Sequence, residues 1–229
     1  MMESLAAFHI RVDGFQHDSL QATLTTKPLL VEKVAPDGTL RPFYGNTMIF
    51  DLPADVQLQI ARMQLLLHHS CGFMLAEPLA PSTLHMTLHD LLNGVDEAAL
   101  AESVRQTGTQ AKAILAELRQ AAQPPIRLTS TLTFNMTNGS VALGFAPDTE
   151  ADCAAIMGMH ARFQDVVALN YPLTPHVTLA YYKPGVYDTA TLAEALRAVN
   201  ALEKVRITVD VRRLHYYRFT DMNTYIREG

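Results

Sequence analysis

The stretch Leu84-His85-Met86-Thr87-Leu88 recurs as Pro175-His176-Val177-Thr178-Leu179, with the two histidines 91 residues apart (85 to 176). Each copy follows a helical segment and a loop containing proline, Pro81 before the first and Pro172 before the second. Each lies in a segment that reads as a strand, Leu84–Leu91 and His176–Tyr182. A His-x-Thr triplet arises easily by chance. Two triplets, each followed by leucine and placed one per half of the chain, do not.

Strand geometry gives the repeat chemical content. Side chains alternate between faces, so His85 shares a face with Thr87, and His176 with Thr178. At about 3.3 Å per residue, the members of each pair stand roughly 6.6 Å apart along the strand. Met86, Leu88, Val177 and Leu179 form apolar backs that helices can bury. Two such strands side by side would present two imidazoles and two hydroxyls to one groove. A neutral imidazole can take a proton from an attacking water, and a protonated one can give a proton to a departing oxygen. The ordinary histidine pKa near 6.5 allows both states around neutrality. Threonine hydroxyls can donate to phosphate oxygens. Phosphodiester hydrolysis without a cofactor or metal is therefore the expected chemistry.

Outward from the repeat, elements alternate. Leu29–Val34 and Thr39–Phe43 read as extended segments around the turn Pro36-Asp37-Gly38. Met48–Leu52 reads as a strand, and 53–69 as a helix with Val56, Ile60, Met63, Leu66 and Leu67 at helical spacing. Phe73–Ala76 reads as a short strand. A long helix is expected over 96–122, broken near Gly108. Ile126–Met136 and Ser140–Phe145 flank Asn138-Gly139, a hairpin signal. Helices over 148–169, capped by Asp148 or Thr149, and over 189–200 follow, then an extended segment over 205–219. Residues 220–229 read as a polar tail. The interleaving predicts an α+β (α/β) class, with helices on the outer faces of a shared, mainly antiparallel sheet.

Composition narrows the possibilities. The chain has 229 residues, 48% of them hydrophobic and 18% charged, which excludes a disordered or fibrous protein. No Pro/Gly/Ser-rich linker divides it. The net charge of −5 argues against a long nucleic-acid footprint. Cys71 and Cys153 belong to no CxxC pair or Cys/His cluster, so neither a disulfide framework nor a structural zinc is expected, and the usage fits a reducing cytoplasm. No signal peptide or membrane span is expected.

Further candidates come from extending the two strands in steps of two. Steps along the first strand put His89 on the face of His85, and steps along the second put Tyr182 on the face of His176. Tyr182 is a candidate nucleobase platform, which favours His176 as base and His85 as acid. Asn46, beside Gly45 ahead of a strand, is a candidate contact or a turn residue. Two other functions compete: a metal-dependent site built from His85, His89 and His176, and a non-catalytic nucleotide-binding module.

With both triplets in place, the sequence resembles the two-histidine (2H) phosphoesterases, a superfamily that includes bacterial 2′-5′ RNA ligase-like proteins and cyclic nucleotide phosphodiesterases. The motifs His85-Met86-Thr87 and His176-Val177-Thr178 carry the resemblance through residues 43–219. The run Pro42-Phe43-Tyr44-Gly45-Asn46-Thr47 is similar to the approach to the first strand in one bacterial branch. The resemblance implies a single bilobal, pseudo-symmetric domain over 1–229. Residues 1–42 would form an N-terminal extension with a hairpin, 43–125 a first lobe with His85, and 126–229 a second lobe with His176. It implies that His85 and His176 are the acid/base pair and that Thr87 and Thr178 hold the phosphate. It leaves the substrate open among 2′,3′-cyclic phosphates, ADP-ribose 1″,2″-cyclic phosphate, 2′-5′ linkages and RNA 3′ ends, and the lack of a long basic run favours a small nucleotide over an RNA end.

Overall fold

The computed structural model describes residues 3–17, 20–121 and 123–228. Met1, Ala122 and Gly229, which bound the expected domain and the expected long helix, lie outside the described residues. The elements are α1 (Leu5–His17), β1 (Thr23–Thr25), β2 (Tyr44–Asp51), α2 (Ala54–Cys71), β3 (His85–Gly94), α3 (Glu97–Gln120), β4 (Ile126–Met136) and β5 (Ser140–Pro147). They continue with α4 (Glu150–Phe163), β6 (His176–Tyr181), β7 (Val186–Asp188), α5 (Ala190–Asn200), β8 (Arg206–Val209), β9 (Leu214–Asp221) and β10 (Thr224–Arg227).

The strands make two four-stranded antiparallel sheets, not one shared sheet. The orders are β10-β9-β2-β3 and β6-β5-β4-β8, and β1 pairs with β7 in a small third sheet. Each motif strand is the edge of its sheet, and β3 and β6 face each other. An unpaired edge invites association with another strand; here the two edges are turned toward one another. Met86, Leu88, Val177 and Leu179 are buried on the backs of these strands, as their alternation requires.

The helices cross between lobes. α2 leaves the first sheet but packs on α5 and β6, while α4 leaves the second sheet and reaches α3 and β3. In α2 the buried residues Val56, Ile60, Met63, Leu67 and Cys71 make the stripe that this packing covers. Asp96 caps α3 by accepting from the Ala99 amide at 3.0 Å, and Thr149 caps α4 by accepting from the Asp152 amide at 3.2 Å.

Several expectations are corrected by packing. α3 runs unbroken through Gly108, because that glycine lets the Tyr216 ring lie against the helix. Leu29–Val34 is not extended: Pro28 opens a 3-10 turn over Pro28–Glu32. The Pro36-Asp37-Gly38 turn does form, with Gly38 at φ +98°, but a single bridge, Val34 to Leu40, closes it. Gly72–Met74 is also a 3-10 turn, not part of a strand. The hairpin after β4 pivots on Thr137 and Asn138, both at positive φ, one residue before the expected pair. Residues 224–227 are a strand, not a tail. With β9 they complete the first sheet.

Gly45 on β2 leaves no room for a side chain, since a Cβ there would run into the Leu92 carbonyl oxygen and the Phe219 ring. Gly45→Ala is expected to lower unfolding free energy by about 2 kcal/mol or more, read from urea denaturation. An unchanged midpoint would contradict this packing.

Candidate active site

The two motif histidines are held in the same way. Nδ1 of His85 lies 2.6 Å from the Thr83 carbonyl oxygen, and Nδ1 of His176 lies 2.7 Å from the Thr174 carbonyl oxygen. A carbonyl only accepts, so each Nδ1 carries the hydrogen. Each Nε2 is left as the lone-pair nitrogen for the cavity that both residues line. In both cases the carbonyl belongs to the residue two positions upstream, at the entry to the strand.

Burial lowers the pKa of both rings. For His85 the Thr83 carbonyl opposes that shift, a charge on His176 adds to it, and Asp90 and Asp51 oppose it. For His176 the Thr174 carbonyl and then Asp90 oppose the effect of burial. A proton on His176 disfavours one on His85, so the pair resists carrying two protons at once.

Past the threonines, both strands depart from simple alternation in the same way. Against β2, Met48 pairs with His89 and Ile49 with Thr87, so Leu88 is an extra residue. Against β5, Val141 pairs with Ala180 and Ala142 with Thr178, so Leu179 is extra. Each is a β-bulge, which shifts the side-chain phase by one. The residues that return to the groove are therefore Asp90 and Tyr181, both of which line the cavity.

The bulges displace two candidates. Tyr182 is fully buried, with no hydrogen-bond partner for its hydroxyl among the described residues, and it does not face the groove. His89 borders the cavity, but its ring is 1% exposed and packs 4.9 Å from His160 and 6.0 Å from Phe163. Its Nδ1 is engaged by the Asp90 carbonyl at 2.6 Å. His89 thus does not join His85 and His176 as a third ligand. Among the described residues no group of three or more His, Cys, Asp or Glu side chains is placed to hold a metal ion. Asn46 is structural. Its amide donates to the Val104 carbonyl, Thr107 and Tyr216, and its oxygen accepts from the Leu92 amide, which fastens α3 to the first sheet.

Thr87 and Thr178 do reach the cavity, whose volume is about 990 Å³. Four of its residues went unrecognised in the sequence: Asp90, Tyr181, Tyr225 and Lys33. Tyr225 meets the His85 ring edge-on at 4.6 Å and the Phe219 ring at 5.7 Å, and Phe219 stacks on Phe43 at 6.2 Å. Asp90 accepts from the Tyr171 hydroxyl at 3.1 Å. Placing Asp90 and Tyr181 at the same distance beyond the two histidines would have been the signal. Tyr225 gives none, since it belongs to a short, mostly polar strand.

No family model matches the sequence, and no curated protein matches it. Solved structures do match. A conserved protein of unknown function from Agrobacterium tumefaciens is 16% identical, with TM-score 0.65 over 89% of this chain and 92% of that one. A Thermus thermophilus protein is 17% identical, with TM-score 0.51 over 80% and 94%. LigT of E. coli, solved with 3′-AMP, is 15% identical, with TM-score 0.50 over 82% and 97%. The chain shares its α+β fold with these proteins.

The buried histidines make stability depend on pH. His160, 7% exposed beside His89, has its pKa pushed down to about 4, first by burial and then by His89. His85, His89 and His176 shift in the same direction. The unfolded chain, with histidines near 6.5, binds more protons in this window, so stability is complete above about pH 6.5 and falls as pH drops toward 4. His160 alone contributes on the order of 3 kcal/mol to that loss. Urea midpoints taken from pH 7.5 to 4.5 should decline steadily; a flat or rising series would contradict the burial of these rings.

Proposed function

We propose that this chain is a two-histidine phosphoesterase. It hydrolyses a cyclic phosphate or 2′-5′ phosphodiester of a small nucleotide or RNA end. The observation that carries the reading is the matched anchoring of His85 and His176. Two facing strand edges each hold an imidazole by Nδ1 over a hydroxyl two residues on. The shared fold with LigT of E. coli supports it. The 3′-AMP bound in that structure is a phosphomonoester, the class of compound this reaction releases.

In this mechanism the diester lies between the histidines, and Thr87 and Thr178 donate to its non-bridging oxygens. Tyr225, in edge contact with His85, places the nucleoside on the His85 side. The ribose oxygen that leaves is then next to His85. Neutral His176 takes a proton from water at Nε2, and the water oxygen bonds to phosphorus. The bond from phosphorus to the ribose oxygen breaks, and His85 gives its Nε2 proton to that oxygen. The product is a phosphomonoester, and the pair ends with its proton on the other ring. The threonine dipoles act where negative charge grows.

A panel of 2′,3′-cyclic nucleotides and 2′-5′ dinucleotides in excess EDTA provides the test. Hydrolysis is expected to persist in the chelator. His85→Ala and His176→Ala are each expected to reduce turnover by about 10²–10⁴. Thr87→Ala and Thr178→Ala should reduce it less, since each removes one neutral donor. Near wild-type turnover in both folded histidine variants would refute the mechanism. Activity that vanishes in EDTA and returns with zinc or manganese would favour a metal-dependent hydrolase.

A further inference from the structure

Lys33 lies in the 1–42 segment, outside the two motif lobes, yet it lines the cavity. Its ammonium stands 4.6 Å from the centroid of Phe43 and 5.8 Å from that of Tyr181. It makes no side-chain hydrogen bond or ion pair among the described residues. Burial lowers its pKa, and Asp90 opposes that shift. Three donors and a positive charge are thus held partly out of water, with ring faces and the field of Asp90 to compensate but no hydrogen-bond acceptor among the described residues. Such a group is stabilised when an anion enters the cavity.

Lys33 shares the cavity with the reacting centre but comes from a different segment, and Asp90 acts on all three groups. Phe43, which carries Lys33, is linked to His85 by ring contacts through Phe219 and Tyr225. The cavity, at about 990 Å³, lies at the top of the roughly 300–1,000 Å³ range of small-molecule sites. It has room for more than a mononucleotide. Among side chains, lysine suits phosphate as a point charge.

We infer that Lys33 binds a second phosphate of the substrate, a phosphomonoester separate from the diester that reacts. The inference rests on the phosphodiesterase reading. It narrows the substrates to nucleotides that carry a terminal phosphate besides the reacting group. Tyr225, less buried than Phe43 and Phe219, takes the nucleoside, with the reacting phosphate at His85 and the second phosphate at Lys33.

Binding of product-like monoesters tests this without turnover. Adenosine 2′-monophosphate and adenosine 2′,5′-bisphosphate are titrated calorimetrically into wild-type protein, Lys33→Met and Lys33→Arg. Wild type is expected to bind the bisphosphate about tenfold or more tightly than the monophosphate. Lys33→Met should bind the two within about twofold of each other, and Lys33→Arg should keep the preference. A wild type that fails to prefer the bisphosphate would overturn the inference, whatever the variants do. So would a Lys33→Met that retains the preference. Hydrolysis of the corresponding cyclic phosphates by wild type is measured separately. Its absence alongside a Lys33-dependent preference would count against the phosphodiesterase reading and leave the phosphate subsite standing.

Discussion

Two backbone carbonyls, those of Thr83 and Thr174, determine what the groove can do. Each accepts from the Nδ1 of the histidine two residues downstream, and each thereby selects the tautomer and orientation of its ring. The carbonyls sit at the entry to each motif strand, and each strand is the outer edge of a four-stranded sheet. The crossing of α2 and α4 between lobes keeps the two edges opposed, since each helix is packed partly on the other lobe. Separating the lobes would expose both helices' apolar stripes, so the hydrophobic core holds the gap between the histidines, with the Tyr171–Asp90 hydrogen bond joining the lobes inside the cavity.

The pseudo-symmetry supplies a matched pair of groups, and its breaking supplies discrimination. Both bulges fall one residue after the threonine, but the residues they return to the groove differ: a carboxylate at Asp90 and a phenol at Tyr181. The chain termini add to the difference. β10 brings Tyr225 to His85 alone, and the segment before β2 brings Lys33 against Phe43 and Tyr181. On the other side α1 docks beside His176. There the Arg11 guanidinium donates to the Thr174 hydroxyl and to the Leu173 carbonyl, each at 2.8 Å, stiffening the loop that carries the anchoring carbonyl. The two matched histidines therefore sit in unlike surroundings.

What was legible in the sequence is what local rules govern. The repeat, the alternating apolar backs and the helical stripe of α2 follow from periods of 2 and 3.6, and those features positioned His85, Thr87, His176 and Thr178. The β-bulges were not legible, because nothing in Leu88 or Leu179 marks an unpaired residue; a period of two carried past them selects His89 and Tyr182 in place of Asp90 and Tyr181. Asn46 reads as a turn residue, yet it is 1% exposed and fully bonded, a role that appears only once α3 and β9 lie over it. Gly108 reads as a helix break, but long-range packing against Tyr216 makes it part of the helix. Tyr225 and Lys33 act through tertiary placement, which no local pattern encodes.

The central claim is that two carbonyl-anchored imidazoles present Nε2 to one cavity and resist double protonation, and the ring nitrogens report on this directly. Nitrogen-15 NMR of histidine-labelled protein, titrated from pH 8 to 5 and assigned with single His→Gln variants, would observe both rings. The account predicts that both neutral rings are protonated at Nδ1. It also predicts that both titrate below the ordinary value near 6.5, in two separated steps, the second proton being resisted by the first. Neutral rings protonated at Nε2, or two independent titrations at the ordinary value, would contradict it.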